Sequence, residues 1–220
     1  MCGRFTLTSP PRRLQERFTL AAAPDELRPR WNIAPSQEVL VIPNRAQRLL
    51  RPARWGLIPH WAGDPAIGHR LINARAETLS ARPAFRDALA RQRCAIPADG
   101  FYEWQRRGRA RQPFHLHRRD GEPLALAGLW DVWRRPDGER VASCTIVTVP
   151  ANGLVAPIHD RMPAILDGAA LDAWLDPRER APGELVPLLV PAPDPWLEAY
   201  PVSSYVNAPD HDGPECIAAI

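Results

Sequence analysis

The feature of this sequence that most restricts its fold is a series of short apolar runs, most of them bounded by glycine, proline or aspartate. The runs are EVLVIP (38–43), RCAIPA (93–98), FYEWQ (101–105), PFHLHR (113–118), PLALAGLW (123–130), SCTIVTV (143–149) and MPAIL (162–166). Runs of this length that end at turn residues are typical of β-strands. The sequence therefore predicts many short strands spread along the chain.

Few helical patterns interrupt these strands. SPPRRLQERF predicts a short helix with Ser9 as its N-cap and Pro10 in its first turn. PAFRDALARQ and GAALDAWL, the latter capped by Asp167, predict two more. We expect an α+β fold, a single domain over residues 1–220 built on a largely antiparallel, barrel-like β-sheet with a few flanking helices.

Composition narrows the class of protein further. No stretch reaches the roughly 18–20 apolar residues of a membrane span, and the first residues lack the pattern of a signal peptide. The four cysteines, Cys2, Cys94, Cys144 and Cys216, are far apart and form no CxxC pair, so neither disulfides nor a zinc site is indicated. We expect a cytoplasmic monomer without metal or cofactor, in which Cys94 and Cys144 are core residues.

The charge is distributed unevenly. All 28 basic residues are arginine; 22 of them lie in residues 1–119 with 9 acidic residues, whereas residues 120–220 hold 6 arginines and 16 acidic residues. A basic half suggests a polyanionic partner, and the planar guanidinium suits phosphate because it donates two parallel hydrogen bonds. Nucleic acid is therefore the expected partner.

The second residue of the chain could carry chemistry. Methionine aminopeptidase generally removes Met1 before a small residue, which would leave Cys2 with a free α-amine beside its thiol. An aldehyde could then form a Schiff base with the amine, and the thiol could close on the imine carbon to give a thiazolidine. The chain has no lysine, so the N-terminus would be the single aliphatic amine available for an imine.

Three strings supply polar partners for such chemistry: LINARAET (71–78), ADGFYEW (98–104) and PIHDRMP (157–163). With MCGRF at the start, WNIAP (31–35) and RWGLIPHW (54–61), they resemble the motifs of the SRAP family, the SOS-response-associated peptidase-like proteins that process abasic sites in single-stranded DNA. The similarity continues to VNAPDHDGPECI (206–217), so it covers essentially the whole chain.

The resemblance implies covalent capture of the abasic-site aldehyde by Cys2 in the DNA damage (SOS) response, and association with the nucleoid. Asn73 would hold Cys2 and the sugar in register by hydrogen bonding. Glu103, on a strand, would move protons during imine formation and reversal. His159 would assist opening of the sugar ring.

Further residues of these motifs are candidates for DNA contacts. Arg4, Arg75 and Arg161 each adjoin a reactive residue and are expected to bind phosphates that flank the lesion. Pro35 and Trp61 are expected to wedge against or stack on bases. The arginines of QRRGRARQ (105–112) predict a hairpin tip that adds diffuse attraction, or a plain exposed turn.

Three other functions use the same residues. Cys2 could be the nucleophile of an N-terminal-nucleophile cysteine peptidase, with its own amine as base, including self-removal of Met1. The Schiff base could instead cut DNA by β-elimination, as in an abasic-site lyase. A plain single-strand binder would show salt-sensitive affinity that is indifferent to the abasic aldehyde.

Overall fold

The computed structural model describes residues 2–220, and this range contains thirteen β-strands and four α-helices. The strands are β1 (Phe5–Leu7), β2 (Arg30–Ile33), β3 (Glu38–Pro43), β4 (Arg51–Trp55), β5 (Asn73–Arg75), β6 (Arg93–Ala98), β7 (Gly100–Arg107), β8 (Ala110–Arg118), β9 (Leu124–Arg134), β10 (Arg140–Pro150), β11 (Arg161–Pro163), β12 (Ile165–Leu166) and β13 (Leu197–Pro201). The helices are α1 (Pro11–Phe18), α2 (Pro83–Arg91), α3 (Gly168–Trp174) and α4 (Pro182–Leu185).

Five strands close into a barrel. The order is β4, β3, β6, β9 and β10, and the ring closes because β10 pairs with β4 on one side and with β9 on the other. The β10–β4 contact is parallel and the other four are antiparallel. Closure removes the open edges of this ring of strands. The predicted α+β fold with a largely antiparallel, barrel-like sheet is confirmed.

A second sheet of five antiparallel strands lies in the order β13, β8, β7, β1 and β2. Its strand β1 begins three residues after Cys2 and pairs with the start of β7, where Phe5 lies opposite Phe101. Strand β5 lies outside the ring of five strands and pairs in parallel with β10. The two sheets thereby bring the start of the chain, the NAR string of β5 and the FYEW string of β7 to one region.

The first helix differs from its prediction at its N-terminus. It begins at Pro11, and the N-cap residue is Pro10, which has no side-chain cap. Ser9 is not the N-cap, because its hydroxyl donates to Asp99 Oδ1 at 2.5 Å and its backbone N–H donates to Asp99 Oδ2 at 2.7 Å. A carboxylate brought close by the fold outcompetes the local cap.

The other predicted helices are α2 and α3, and the Asp167 side chain caps α3 by accepting from the N–H of Gly168. The run MPAIL forms two strands, β11 against β10 and β12 against β9. Ala164, between them, bonds to both neighbours: its N–H donates to Val147 and its carbonyl accepts from Ala127. Among the described residues, no helix combines the length and apolarity needed to cross a membrane.

Candidate active site

Cys2 and Asn73 are joined by a direct hydrogen bond. Asn73 Nδ2 donates to the carbonyl oxygen of Cys2 at 2.8 Å. The other amide atom, Asn73 Oδ1, is buried and accepts no hydrogen bond from residues 2–220. A buried acceptor without a partner is costly, so this oxygen is suited to receive a donor from a bound molecule.

The Cys2 side chain is buried, and its thiol donates a long hydrogen bond from Sγ to the carbonyl of Arg4 at 3.8 Å. Burial, together with the negative charge of Glu103, raises the pKa of the Cys2 thiol far above its usual range. The thiol is therefore neutral at physiological pH, and nucleophilic attack by its sulfur requires a base nearby.

Glu103 is a buried carboxyl group on β7. Burial raises the pKa of Glu103 to about 7, and the negative charge of Asp160 contributes in the same direction. Protonated and ionised forms are thus both populated near neutral pH. A carboxyl group in this state can accept a proton in one step and return it in the next.

His159 is half-buried in the loop between β10 and β11. Its Nδ1 lies 3.0 Å from the backbone N–H of Arg161 and 2.9 Å from Asp160 Oδ1. Burial is the main cause that lowers the pKa of His159. In the neutral ring Nδ1 accepts from Arg161, so the proton is on Nε2; in the charged ring Nδ1 donates to Asp160. Protonation therefore exchanges the partner of this nitrogen.

Two neighbouring cavities form one groove, and Glu103 and His159 lie in its wall. The first, about 350 Å³, is lined by Glu103, Trp104, Arg106, Arg111, Ile158 and His159. The second, about 480 Å³, is lined by Gly3, Arg4, Pro35, Trp104, Arg111 and Asn207. Trp104 and Arg111 line both. We call this depression the groove; it runs from Pro35, past Gly3 and Arg4, to His159.

Two of the three predicted phosphate ligands are held by other protein groups. The Arg4 guanidinium donates to Asn32 Oδ1 at 2.8 Å and to the carbonyls of Val206 and Asn207 at 2.9 and 3.1 Å. Arg161 forms a two-pronged ion pair with Glu77.

Arg161 also donates to the Thr148 carbonyl at 2.6 Å, and its side chain is 11% exposed. Arg75, by contrast, is exposed at the end of β5. Of the three arginines, Arg75 is thus the one whose side chain lies at the surface.

The two predicted base contacts lie at different places. Pro35 is half-buried in the groove. Trp61 is 51% exposed and lines a separate depression of about 430 Å³ with Ile67 and Arg70. The neighbour of Pro35, Ser36, contacts His69 through Oγ and Nδ1 at 3.1 Å.

Several residues of the groove were missed by sequence reasoning. Asn207 is one of them: its Oδ1 accepts from Trp104 Nε1 at 2.8 Å, and its carbonyl accepts from Arg4. Asn32 is fully buried and accepts from Arg4. Their strings, WNIAP and VNAPDHDG, were visible in the sequence, but the contacts join residues that are 28, 103 and 203 positions apart. No local pattern could have signalled them.

The described residues hold no cluster of three or more His, Cys, Asp or Glu side chains arranged to bind a metal ion. His115 and His117 stack on each other, with ring centroids 5.6 Å apart. The groove presents the amide of Asn207, the carboxyl group of Glu103, the imidazole of His159 and several arginines. This set can bind an anionic molecule and transfer protons.

Solved structures with the same architecture exist. A protein from Bacteroides thetaiotaomicron superposes with a TM-score of 0.89 at 24% identity, with full coverage of both chains. A protein from Bordetella bronchiseptica superposes with a TM-score of 0.80 at 30% identity, covering 92% of this chain and all of that one. The Bordetella protein also supports an evolutionary relationship, because its sequence identity to this chain is higher.

Relatives identified by sequence also cover most or all of the chain. The abasic site processing protein YoqW of Bacillus subtilis is 45% identical over 221 residues, which is 99% of both chains. The abasic site processing protein HMCES of Gallus gallus is 36% identical over 199 residues, which is 80% of this chain and 59% of that protein. Because residues 1–209 also match the family described as SOS response associated peptidase, the chain belongs to the SRAP family.

Proposed function

We propose that this protein captures abasic sites in single-stranded DNA covalently, through Cys2 once Met1 has been removed. The removal of Met1 concerns a residue outside the described range. The single observation that carries the proposal is the hydrogen bond from Asn73 to the Cys2 carbonyl beside a carboxyl group, Glu103, whose pKa is about 7. The names of the bacterial and animal relatives support the choice of substrate.

The proposed reaction balances as a condensation. The lone pair of the Cys2 amine attacks C1′ of the ring-opened sugar and gives a carbinolamine, which loses one water to form an imine. The thiol sulfur then bonds to the imine carbon, and the thiol proton ends on the nitrogen. One C–N and one C–S bond replace the C=O bond, and the five-membered ring forms intramolecularly, which favours closure.

Glu103 is proposed to take and return the protons of these steps. In its ionised form it accepts a proton from the Cys2 amine or thiol; in its protonated form it donates to the hydroxyl that leaves as water. His159 is proposed to donate from Nε2 to the sugar oxygen, because Arg161 occupies Nδ1 of the neutral ring. Asn73 Oδ1 would accept from the sugar or the amine.

The form of DNA follows from the depth of the site. Cys2 and Glu103 are buried, and a duplex would keep the deoxyribose in its helix, away from them. An unpaired strand can turn its sugar into the groove at lower cost. Arg75 and Pro35 are the proposed contacts for the strand near the lesion.

The test is a mass measurement. Mature protein is mixed with an oligonucleotide that carries one abasic site, and the expected product has the summed mass minus one water. Cys2→Ser should give no durable adduct, because an imine could form but no thiazolidine. Cys216→Ser is the matched control: this thiol is also buried, and a hydroxyl can keep its bond to the His211 carbonyl. An equally durable adduct in Cys2→Ser contradicts the proposal.

The lyase and peptidase alternatives give different results. Ring closure consumes the imine before β-elimination, so strand scission should rise in Cys2→Ala under our proposal and fall if the protein is a lyase that uses the Cys2 amine with its thiol. Release of Met1 from precursor synthesised without aminopeptidase would favour self-processing. A mass spectrum of that precursor decides the point.

A further inference from the structure

The β7–β8 hairpin carries a concentration of positive charge. β7 ends at Arg107 and β8 begins at Ala110, and the turn between them includes Gly108 in a left-handed conformation, φ 61°. Directly across the two strands, Arg106 lies opposite Arg111. Arg109 occupies the turn itself. We call these residues, 106–111, the hairpin tip.

The hairpin tip has no local compensation for this charge. The sequence contains no acidic residue between Glu103 and Asp120. Within residues 2–220, other exposed arginines form ion pairs, but Arg106, Arg109 and Arg111 form none. Like charges directly opposite each other destabilise a strand pair. The free protein therefore carries a small electrostatic cost that an anionic ligand would relieve.

A second hairpin shows how the same chain compensates such a pair elsewhere. Arg134 and Arg140 also face each other directly, at the open end of β9 and β10. There the turn contains acidic side chains: Arg135 pairs with Glu139 at 2.7 Å and with Asp137 at 3.7 Å. The absence of comparable acid from the tip of β7 and β8 distinguishes the two hairpins.

The hairpin tip is continuous with the candidate active site. Arg106 lies three residues beyond Glu103 on the same strand, about 10 Å at 3.4 Å per residue. Arg106 and Arg111 line the cavity that contains Glu103 and His159, and Arg111 also lines the cavity that contains Arg4. The positive charge therefore lies along the wall of the groove.

We propose that the hairpin tip binds backbone phosphates of the single-stranded DNA that leaves the groove past His159, and so holds one flank of the lesion. This inference rests on the proposed function for the identity of the strand. A chain of phosphates fits because several arginines are presented in sequence, and each planar guanidinium can donate two hydrogen bonds to one phosphate. Contacts of this type position the strand without reading its sequence.

The first experiment measures affinity without chemistry. Wild type and Arg106→Gln/Arg111→Gln are titrated with an undamaged single-stranded oligonucleotide at several salt concentrations. Loss of two phosphate contacts should lower the magnitude of the log–log salt slope by about 1.4 and weaken binding about tenfold at low salt. This double variant should melt no lower than wild type, since a repulsive pair is removed.

Arg134→Gln/Arg140→Gln is the matched control. It removes an equal charge from an equivalent cross-strand pair. Arg140 lies eight residues along β10 from Thr148, which contacts Arg161, so the pair is about 27 Å from that part of the site. An equal loss of slope in both double variants would show diffuse attraction only and would overturn the proposal.

The second experiment localises the contact. Oligonucleotides carry a tetrahydrofuran abasic analogue, which has no aldehyde, with the flank on either the 5′ or the 3′ side cut to one nucleotide. The difference in binding affinity between wild type and Arg106→Gln/Arg111→Gln should disappear for one of the two oligonucleotides and persist for the other. Persistence or disappearance with both would overturn the one-flank assignment. Neither measurement depends on adduct formation, so failure of the capture mechanism would be seen separately, as a missing adduct in wild type.

Discussion

Asn73 Nδ2 donates a 2.8 Å hydrogen bond to the carbonyl oxygen of Cys2, which ties the start of the chain to β5. β5 is itself paired with β10, where Asn73 lies opposite Ile146 in the wall of a closed barrel. Chain termini are usually poorly ordered unless tied down. Here the barrel fixes the position of Cys2, so a reactive group at a terminus can be as well placed as one on an internal strand.

Asn73→Ala should slow adduct formation by about 10- to 100-fold, because misplacement of a reacting group by about 1 Å can cost that much. The lost hydrogen bond is worth about 1 kcal/mol, so the melting temperature should fall by only about 2–4 °C. Asn44→Ala is the control, since Asn44 is also buried and binds backbone through both amide atoms. If Asn44→Ala, once folded, slowed the reaction equally, Asn73 would have only a structural role.

Glu103 should set the pH dependence of capture. Since burial raises the pKa of Glu103 to about 7, the rate should rise with pH up to about that value as the carboxylate forms. In Glu103→Gln this rise of the capture rate near pH 7, the Glu103 limb of the pH–rate profile, should disappear. Only the rise due to the α-amine, near pH 8, should remain. Glu198→Gln, an exposed change on β13, should keep the wild-type profile. A pH 7 limb that survives in Glu103→Gln would assign it to another group.

The same pKa predicts a stability effect. Unfolded glutamate loses its proton near pH 4.3, whereas folded Glu103 keeps it to about pH 7, so the folded state loses stability as pH rises between these values. Glu103→Gln lacks this loss. Its melting temperature relative to wild type should therefore be higher at pH 8 than at pH 4 by about 7–14 °C. Thermal melts at both pH values check this, and a constant difference would contradict the raised pKa.

The arrangement of the barrel strands was predictable only in part. The long apolar runs of β3, β6, β9 and β10 are visible as patterns. β4 was not predicted, because its sequence RPARW has no apolar run. Its strand conformation is stabilised by backbone pairing with β3 and β10. The parallel β10–β4 contact closes the ring, and it joins segments about 90 residues apart. Closure depends on such long-range pairing, which periodicity does not encode.

The site was predictable to the extent that its motifs are local. Asn73, Glu103 and His159 were found as members of short strings, whereas Ser9 was assigned wrongly because Asp99, 90 residues away, competes for its hydroxyl. The contacts of Arg161 could not be predicted from local sequence either. Its position beside His159 suggested a phosphate contact, but its ion pair with Glu77 depends on the approach of two distant segments.

Arg75 and Arg161 should separate DNA affinity from stability. Arg75 is exposed, so Arg75→Gln should lower the salt slope for single-stranded DNA by about 0.7 and leave the melting temperature unchanged. Arg161→Gln breaks a two-pronged ion pair with Glu77 and should lower the melting temperature by at least about 2–4 °C. Titrations and melts of both variants check this. A stable Arg161→Gln with a reduced salt slope would instead make Arg161 a phosphate ligand.

Asp160 should tune both proton-transfer groups from the surface. Its side chain is 84% exposed, it contacts His159 Nδ1 at 2.9 Å, and its charge raises the pKa of both His159 and Glu103. Asp160→Asn should therefore move the Glu103 limb of the rate profile to lower pH, by roughly half a pH unit or less, because solvent screens an exposed charge.

High salt should produce the same displacement in wild type and abolish the difference between the two proteins, since screening removes the interaction that the substitution removes. Asp172→Asn is the matched control: this aspartate is also exposed but pairs with Arg48 on another part of the surface. A displacement toward higher pH, or one that persists in high salt, would mean that Asp160 acts by holding the His159 loop in place and not through its charge.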